Sequence, residues 1–293
     1  MALSSPGVVL AIPAMFGALR PVTDFLRRLG TTDFSREAPE FEVAPGATSK
    51  VPISSIAAAS AFDASSNNYL TGGDTTWATL TATHYLKGYD ISGENIDEGI
   101  SRTRIEQLFS LRAAAGIGAA IQNAVASALD GTTTSTGVTI PAAASATLKD
   151  YMGLAGAKTW MNPADSVLAA GPADFAKIKS LLVAAGIGVS DEEAGRILGF
   201  RDLILVPQMT DRLCVVPFGA LGFKSAVPAV IANYPESGVE TDEGSGFSVG
   251  IVVADDQAKN RRIINADLWF GATTLSANAA ATTAGIVNGG TAA

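Results

Sequence analysis

Residues 246–250, Gly-Phe-Ser-Val-Gly, have the G-x-S-x-G spacing that presents a nucleophilic serine on a tight turn in many hydrolases. That chemistry needs a strand before Ser248, a helix after it, and an acid and a histidine further along the chain. The residues that follow Ser248, VGIVVADD, continue as a strand, and the one histidine, His84, lies far upstream. We therefore expect Ser248 to lie in a strand whose glycines relax a bulge or bend, with an esterase using Ser248 as the alternative.

A second glycine-containing stretch, GALGFKS, begins at Gly219. A phosphate-binding loop has a lysine directly after its second glycine and a helix behind it. Here Phe223 separates Gly222 from Lys224, and no helix pattern follows. The stretch is therefore predicted to be a turn between strands.

Metal sites have few candidate ligands in this chain. Cys214 is the only cysteine and His84 the only histidine, which excludes the usual thiolate and imidazole zinc sites. The acidic stretch ESGVETDEG and the pair Asp255-Asp256 match no EF-hand spacing and are typical of a solvated loop. We predict no catalytic residue, no metal and no cofactor.

Charge and composition exclude further classes. The formal net charge is -8, and no lysine or arginine cluster is longer than a pair, whereas a nucleic-acid-gripping protein needs a basic stripe. Charged residues make up only 16%, below the usual quarter, which favours association with neighbouring subunits. The first residues lack a basic leader and Pro13 interrupts them, so we predict neither secretion nor a membrane span.

The elements that would position these residues begin with residues 1–46, which we interpret as an irregular arm with one short helix. Pro21 suits the first position of that helix, Phe25 and Leu26 share its apolar face, and Gly30 ends it.

Two strand-like stretches, SKVPISSIAAAS and TWATLTATHYLKGYDIS, follow within residues 47–96. Alternation predicts Trp77 and Tyr85 on one face of the second stretch, with Leu80 and His84 on the other. A two-stranded ribbon is marginal alone, so we expect this one to project and lie against another surface.

A long helix is predicted for about residues 101–130, where apolar residues recur at helical spacing and alanines are abundant. Helix-like and strand-like segments then alternate up to about residue 230, which predicts a compact α/β lobe containing a capping box at Ser190 and Glu193. Strands return from Ile231, with a turn near Gln257.

This order of elements resembles the major capsid proteins of tailed bacteriophages, the HK97-like fold. The ribbon is similar to the family's extended E-loop, and SRTRIEQLFSLRAAAGIGAAIQNAVASALDG resembles its spine helix. AKTWMNPADSVLAAG and AGRILGFRDLILVPQM resemble segments of the axial domain. The stretch FSVGIVVADDQAKNRRIINADLWFGATTL resembles the closing strands, including the aromatic-glycine step at Phe270-Gly271.

The resemblance implies an α+β fold with an amino-terminal arm, a β-hairpin E-loop, a peripheral domain built on the spine helix, and an α/β axial domain. The implied division is arm 1–46, E-loop 47–96, peripheral domain 97–150 and 231–275, axial domain 151–230, and flexible tail 276–293.

Members of the family form pentamers and hexamers of an icosahedral shell around double-stranded DNA. The resemblance therefore implies self-association, a place in the virion, and assembly in the cytoplasm of a bacterial host. Scaffolding, portal and decoration proteins are further implied partners, and a net-negative subunit would hold packaged DNA without tight specific binding. An encapsulin-like compartment of the same fold, which encloses protein cargo, is the alternative.

Five apolar or aromatic residues of the arm and the ribbon are the predicted contacts between subunits: Phe25, Leu26, Trp77, Leu80 and Tyr85. Ordinary packing within one chain is the alternative for each of them.

Overall fold

The computed structural model describes residues 6–34, 48–54, 75–92, 101–130, 140–156, 163–188, 190–209, 213–226, 236–242, 246–259, 261–275 and 287–288. The helices are α1 (Pro6–Arg28), α2 (Arg102–Asp130), α3 (Leu148–Gly153), α4 (Pro172–Ala184) and α5 (Asp191–Ile197). The strands are β1 (Thr32–Asp33), β2 (Thr48–Ser54), β3 (Thr75–Thr81), β4 (Thr83–Ser92), β5 (Ser166–Ala170), β6 (Asp202–Leu205), β7 (Leu213–Pro217), β8 (Leu221–Ala226), β9 (Glu236–Thr241), β10 (Ser248–Asp256), β11 (Arg261–Thr274) and β12 (Val287–Asn288). The chain thus combines helices and sheets, in agreement with the predicted class.

A six-stranded sheet organises the larger part of the fold. Its order is β1-β8-β11-β10-β9, and β4 also pairs with β11, which runs for 14 residues. β10 and β11 are antiparallel and join through the short turn Gln257–Lys259, where the sequence predicts a turn. Alternate residues of β11 enter the core, as expected for a sheet covered on one face: Ile264, Ala266, Leu268 and Phe270.

Helix α2 packs on this sheet and confirms the predicted long helix. The rings of Tyr89 on β4 and Phe109 on α2 stack with their centroids 5.2 Å apart. Gly116 lets the Lys87 side chain approach, because a Cβ at that glycine would lie 2.9 Å from Lys87 Cγ. Most of the apolar residues at helical spacing are buried, among them Ile117, Ile121 and Val125, whereas Leu108 is exposed.

The irregular arm predicted for residues 1–46 is wrong for its first part, because α1 is a 23-residue helix that contains both Pro13 and Pro21. A proline inside a helix removes one hydrogen bond and favours a kink, so the sequence pattern favoured a break. The buried face of α1 compensates for that loss: Val8, Ala11, Met15, Leu19, Val22, Leu26 and Leu29 are all buried. Tertiary packing has overridden the local signal, and Gly30, with a φ of 69°, ends the segment as predicted.

The packing partner of α1 is α2. A Cβ at Gly118 would lie 3.1 Å from Val22 Cγ2 and 3.7 Å from Leu19 Cδ2, so this glycine lets the two helices approach closely. The larger core is therefore built from the sheet, α2 and α1 together.

Helix α1 bears on the expectation that no segment spans a membrane, and that expectation stays a prediction. Val8–Arg28 is long and apolar enough to cross a bilayer by length and composition, with a mean hydropathy of 1.4. Core helices and amino-terminal signal sequences pass the same test. The packing on α2 explains the apolar residues on the buried face of this helix.

The ribbon forms as predicted but ends earlier than expected. β2 and β3 make a separate two-stranded antiparallel sheet, and Ala82 separates β3 from β4. Leu80 and Ala82 are buried, whereas His84 and Leu86, which strict alternation would put on the same face, are exposed. The break at Ala82 shifts the alternation, so that β4 joins the six-stranded sheet while β3 stays with β2.

The lobe contains a four-stranded sheet in the order β12-β7-β5-β6. One face of it joins the core of α1 and α2, through Val167, Ala169, Ile204, Val206, Cys214 and Val216. The other face packs in a second core with residues of α3, α4 and α5, through Leu168, Ala170, Leu203, Leu213 and Val215. The lobe therefore shares a core with the rest of the chain.

Two strands lie outside the domains predicted for them. β8, within the predicted axial domain, pairs with β11 of the six-stranded sheet. β12, within the predicted flexible tail, pairs with β7 at Cys214 and Val215. A period-two pattern identifies a strand but not its partner, so the sequence could not predict either pairing.

Candidate assembly surfaces

Ser248 lies at the first position of β10, and strand continues to Asp256, which confirms that the G-x-S-x-G match lies in a strand. Gly246, with a φ of 75°, supplies the predicted bend. The Ser248 hydroxyl is hydrogen-bonded to that of Thr241 on β9, at 2.8 Å. The strand–serine–helix geometry that presents a nucleophile is therefore missing here.

His84 is engaged elsewhere in the sheet. Its Nε2 lies 2.7 Å from Asp267 Oδ2, and its ring stacks on Trp269 with centroids 4.6 Å apart. A base for Ser248 would need a direct hydrogen bond to the serine hydroxyl. That hydroxyl is bonded to Thr241 instead.

The stretch from Gly219 to Ser225 is a turn followed by β8, as predicted. Gly219 has a φ of 75° in the turn, and Lys224 is a buried residue of β8. Within the described stretches, no group of three or more histidine, cysteine, aspartate or glutamate residues is arranged to hold a metal ion.

The five predicted contact residues differ in how far the structure buries them. Leu26 is 2% exposed and Leu80 1% exposed within the single chain, which favours the packing alternative for both, and their role as contacts between subunits stays a prediction. Phe25 and Tyr85 are half-buried at the edge of the larger core. Burial raises the pKa of the Tyr85 phenol, opposed by a hydrogen bond with Thr83. The Trp77 side chain lies outside the described residues.

Large exposed apolar side chains mark other surfaces that the sequence did not single out. Across the described residues they are Val9, Leu10, Leu86, Leu108, Leu111, Met152, Val183, Leu205 and Phe218. Four of these lie on α1 and α2, which pack together, and Leu86 lies on the sheet face opposite α2. Single exposed apolar residues are normal, but a group on adjoining helices is a candidate for contact with another molecule.

The same pair of helices carries basic charge in an acidic chain. Arg20, Arg104 and Arg112 are exposed and have no ion pair with any described residue. Glu106 on α2 is buried and forms ion pairs with Arg102 and Arg262, at 3.2 and 3.1 Å. The exposed sides of α1 and α2 therefore carry apolar side chains and more basic than acidic residues, with Asp24 exposed and paired with Arg27.

Two ion pairs join distant segments of the chain, and the sequence pattern predicted neither of them. Arg262 on β11 meets Glu106 at the start of α2, and Arg28 at the end of α1 donates to both carboxylate oxygens of Asp202 on β6, at 2.8 and 3.0 Å. The hydrogen bond to Asp202 raises the pKa of the Arg28 guanidinium. In the sequence, the signal for the first pair was a glutamate on the apolar side of α2. Arg262 and Glu106 are 156 residues apart and Arg28 and Asp202 are 174 residues apart, so no local pattern joins them.

No family model matches the sequence, and no curated protein matches it. Solved structures are similar in fold. The capsid of the native GTA particle is 13% identical, covers 86% of each chain and gives a TM-score of 0.55. The capsid of the empty GTA particle is 13% identical, covers 92% of this chain and 90% of that one, and gives 0.53. A structure of Mycobacterium phage Che8 is 13% identical, covers 86% and 87%, and gives 0.49.

The chain therefore has a capsid-protein fold, which confirms the resemblance to phage major capsid proteins. At these identities the likeness establishes the fold.

Proposed function

We propose that this protein is a major capsid protein that assembles into pentamers and hexamers of an icosahedral shell around the double-stranded DNA of a tailed phage. The observation that carries the proposal is the likeness to GTA capsids over most of both chains. Under this proposal the chain has a structural role in the virion and no enzymatic one, and it assembles in the host cytoplasm.

Within that proposal each part of the fold has a role. The ribbon of β2 and β3 is the E-loop, α2 is the spine helix of the peripheral domain, and the lobe around β5, β6 and β7 is the axial domain. Scaffolding, portal and decoration proteins are proposed partners, and DNA is enclosed without tight specific binding.

The physical support comes from surfaces that the chain does not cover itself. The ribbon pairs as a separate two-stranded sheet, which is marginal alone. Leu10, Leu108 and Val183 are among the large apolar side chains left exposed. Burial of apolar area contributes about 25 cal/mol per Å², and ordering costs offset much of it, so repeated weak contacts in a closed shell suit such a subunit.

Electron microscopy and analytical ultracentrifugation of the concentrated protein test the proposal. We expect closed shells from the native chain, and soluble subunits that form no shells from Trp77→Asp, because a charge on the ribbon would be desolvated in a contact. Trp77→Phe, which keeps an apolar ring, is the matched control and should assemble. A native chain that stays monomeric at high concentration would overturn the proposal.

The contents of purified shells separate the virus from the compartment alternative. Double-stranded DNA inside particles produced during infection supports the capsid proposal, and protein cargo without nucleic acid supports an encapsulin-like compartment. Turnover of a simple ester that is lost in Ser248→Ala would instead support the esterase, against the strand geometry described above.

A further inference from the structure

Helix α2 is covered by its own chain on two sides and exposed on a third. Phe109 on the first side stacks on Tyr89 of β4, and Gly118 on the second admits Val22 of α1. The exposed side carries six residues at intervals of three or four, which form one stripe along the helix. This outer stripe consists of Arg104, Leu108, Leu111, Arg112, Ala115 and Ala119.

The outer stripe combines apolar and basic side chains. Leu108 is 44% exposed and Leu111 37% exposed. Arg104 and Arg112 are exposed, and neither forms an ion pair with a described residue. The stripe contains no acidic residue, because Glu106 lies on a buried side of the helix. A partner that matches this stripe therefore brings both apolar side chains and carboxylates.

Strand β9 offers that combination at one edge of the six-stranded sheet. It is last in the strand order and pairs with β10 on one side, so its other side has no partner among the described strands. The stretch ESGVETDEG begins on this strand and contains four acidic residues and no basic one. Val239 and Glu240 are half-buried, and Glu240 forms no ion pair with a described residue. Such an open edge also presents unpaired backbone groups to a neighbour.

The charges on the stripe and on the strand have similar spacings. Arg104 and Arg112 are eight residues apart on a helix, which is about 12 Å at a rise of 1.5 Å per residue. Glu236 and Glu240 are four residues apart on a strand, which is about 13 Å at 3.3 Å per residue. Within one chain α2 packs chiefly on α1, β4 and β11, and its two stripe arginines remain unpaired. Pairing of these charges therefore requires a second copy.

We propose that the outer stripe of α2 binds the β9 edge of a second copy of this chain, an inference that rests on the proposed function. Leu108 and Leu111 pack against Val239, and Arg104 and Arg112 pair with carboxylates of the acidic stretch. Since the stripe and the edge are different surfaces, the contact is head-to-tail, and such contacts form closed rings where the rotation closes. One contact between exposed charges is weak and sensitive to salt, and a closed shell repeats it many times.

Charge reversal in the full-length chain tests this contact. The stripe variant is Arg104→Glu with Arg112→Glu, the edge variant is Glu236→Lys with Glu240→Lys, and the swapped variant carries all four changes. Sedimentation velocity and electron microscopy give the lowest protein concentration at which shells form. We expect the stripe and edge variants each to raise that concentration at least about tenfold, because like charges then meet. The swapped variant, in which opposite charges meet again, should assemble close to the native concentration.

Arg27→Glu with Arg196→Glu is the matched control for the stripe variant. Both arginines are mostly exposed, lie outside the stripe and pair with an acidic residue of their own helix, so the net charge changes equally. Since exposed pairs contribute little, this control should assemble within about twofold of the native concentration. An equimolar mixture of the stripe and edge variants also brings opposite charges together. It should assemble at a lower concentration than either variant alone, and it replaces the swapped variant should that chain fail to fold.

Assembly of the stripe variant at the concentration of its control would overturn this contact and leave the proposed function intact. Failure of both the swapped variant and the mixture to recover assembly would do the same. Normal shells of the stripe variant that contain less DNA would assign the stripe to DNA phosphates instead. A native chain that forms no shells at high concentration would overturn the proposed function and this contact together.

Discussion

The amino-terminal arm and the ribbon were both predicted to supply contacts between subunits, and the structure packs them differently. α1 lies along α2, with one face buried in the main core. The ribbon strands β2 and β3 pair with each other in a separate sheet, and β3 meets β11 at its end. Helix α1 is therefore a core element, whereas the ribbon keeps the arrangement that an assembly contact requires.

The difference lies in what each segment can bury within its own chain. α1 has an apolar residue at almost every third or fourth position, and Gly118 on α2 lets it approach closely. The ribbon sequence is rich in threonine, serine and alanine, so it offers little apolar area for a core of its own. The spacing of apolar residues and the composition of a segment, more than its position in the chain, decide whether it packs on the rest of the chain.

The largest expected effect tests the placement of α1. Leu26→Ala should lower the free energy of unfolding by about 2–5 kcal/mol, because it opens a cavity in a packed core. Leu10→Ala in the same helix removes the same atoms from a side chain that is 62% exposed, and should change stability by less than about 0.5 kcal/mol. Urea unfolding measures both, and equal small losses would show that α1 leaves the globule.

The junction of the ribbon should be sensitive to an added methyl group. A Cβ at Gly271 would lie 2.2 Å from Thr81 O and 3.1 Å from Ala82 Cα, so backbone must move. We expect Gly271→Ala to cost about 1–3 kcal/mol in thermal unfolding, as overpacking does. Gly17→Ala in α1, where no atom lies within 4 Å, should be neutral or stabilising by up to about 1 kcal/mol. A neutral Gly271→Ala would mean that ribbon and sheet separate freely.

Much of the fold could be predicted from local patterns. The long helix appeared from its apolar spacing, the turn at Gly219 from its glycine, and the capping box from Ser190 and Glu193. The Glu193 carboxylate accepts bonds from the Ser190 amide and hydroxyl, which lower its pKa. Each of these signals is contained within a few neighbouring residues.

The errors concern choices made over long sequence distances. Pro13 and Pro21 gave a local signal for a break that burial against α2 overrode. Alternation could not show that Ala82 would interrupt the second ribbon strand, and so it placed Leu80 and His84 on one face. Contact residues between subunits depend on which apolar side chains remain uncovered. That is decided by the whole fold, as the burial of Leu26 shows.

The smallest expected effect concerns the end of α1. Arg28 is bonded to Asp202 through two hydrogen bonds, and Arg201 donates to the Arg28 carbonyl at 2.9 Å. A fully buried pair would lose about 3–5 kcal/mol on removal of one partner. The Arg28 side chain is 43% exposed and partly screened by solvent, so we expect about 1 kcal/mol for Arg28→Ala.

Arg27→Ala is the matched control for this pair. Arg27 is the neighbouring residue on the same helix, and it pairs at 3.5 Å with Asp24 while both side chains remain mostly exposed. Its removal should cost less than about 0.5 kcal/mol. In hydrogen–deuterium exchange, Arg28→Ala should raise the exchange of the last turns of α1 and leave the ribbon unchanged. Equal losses for the two arginines would mean that α1 is held by its apolar face alone, with no anchor on the lobe.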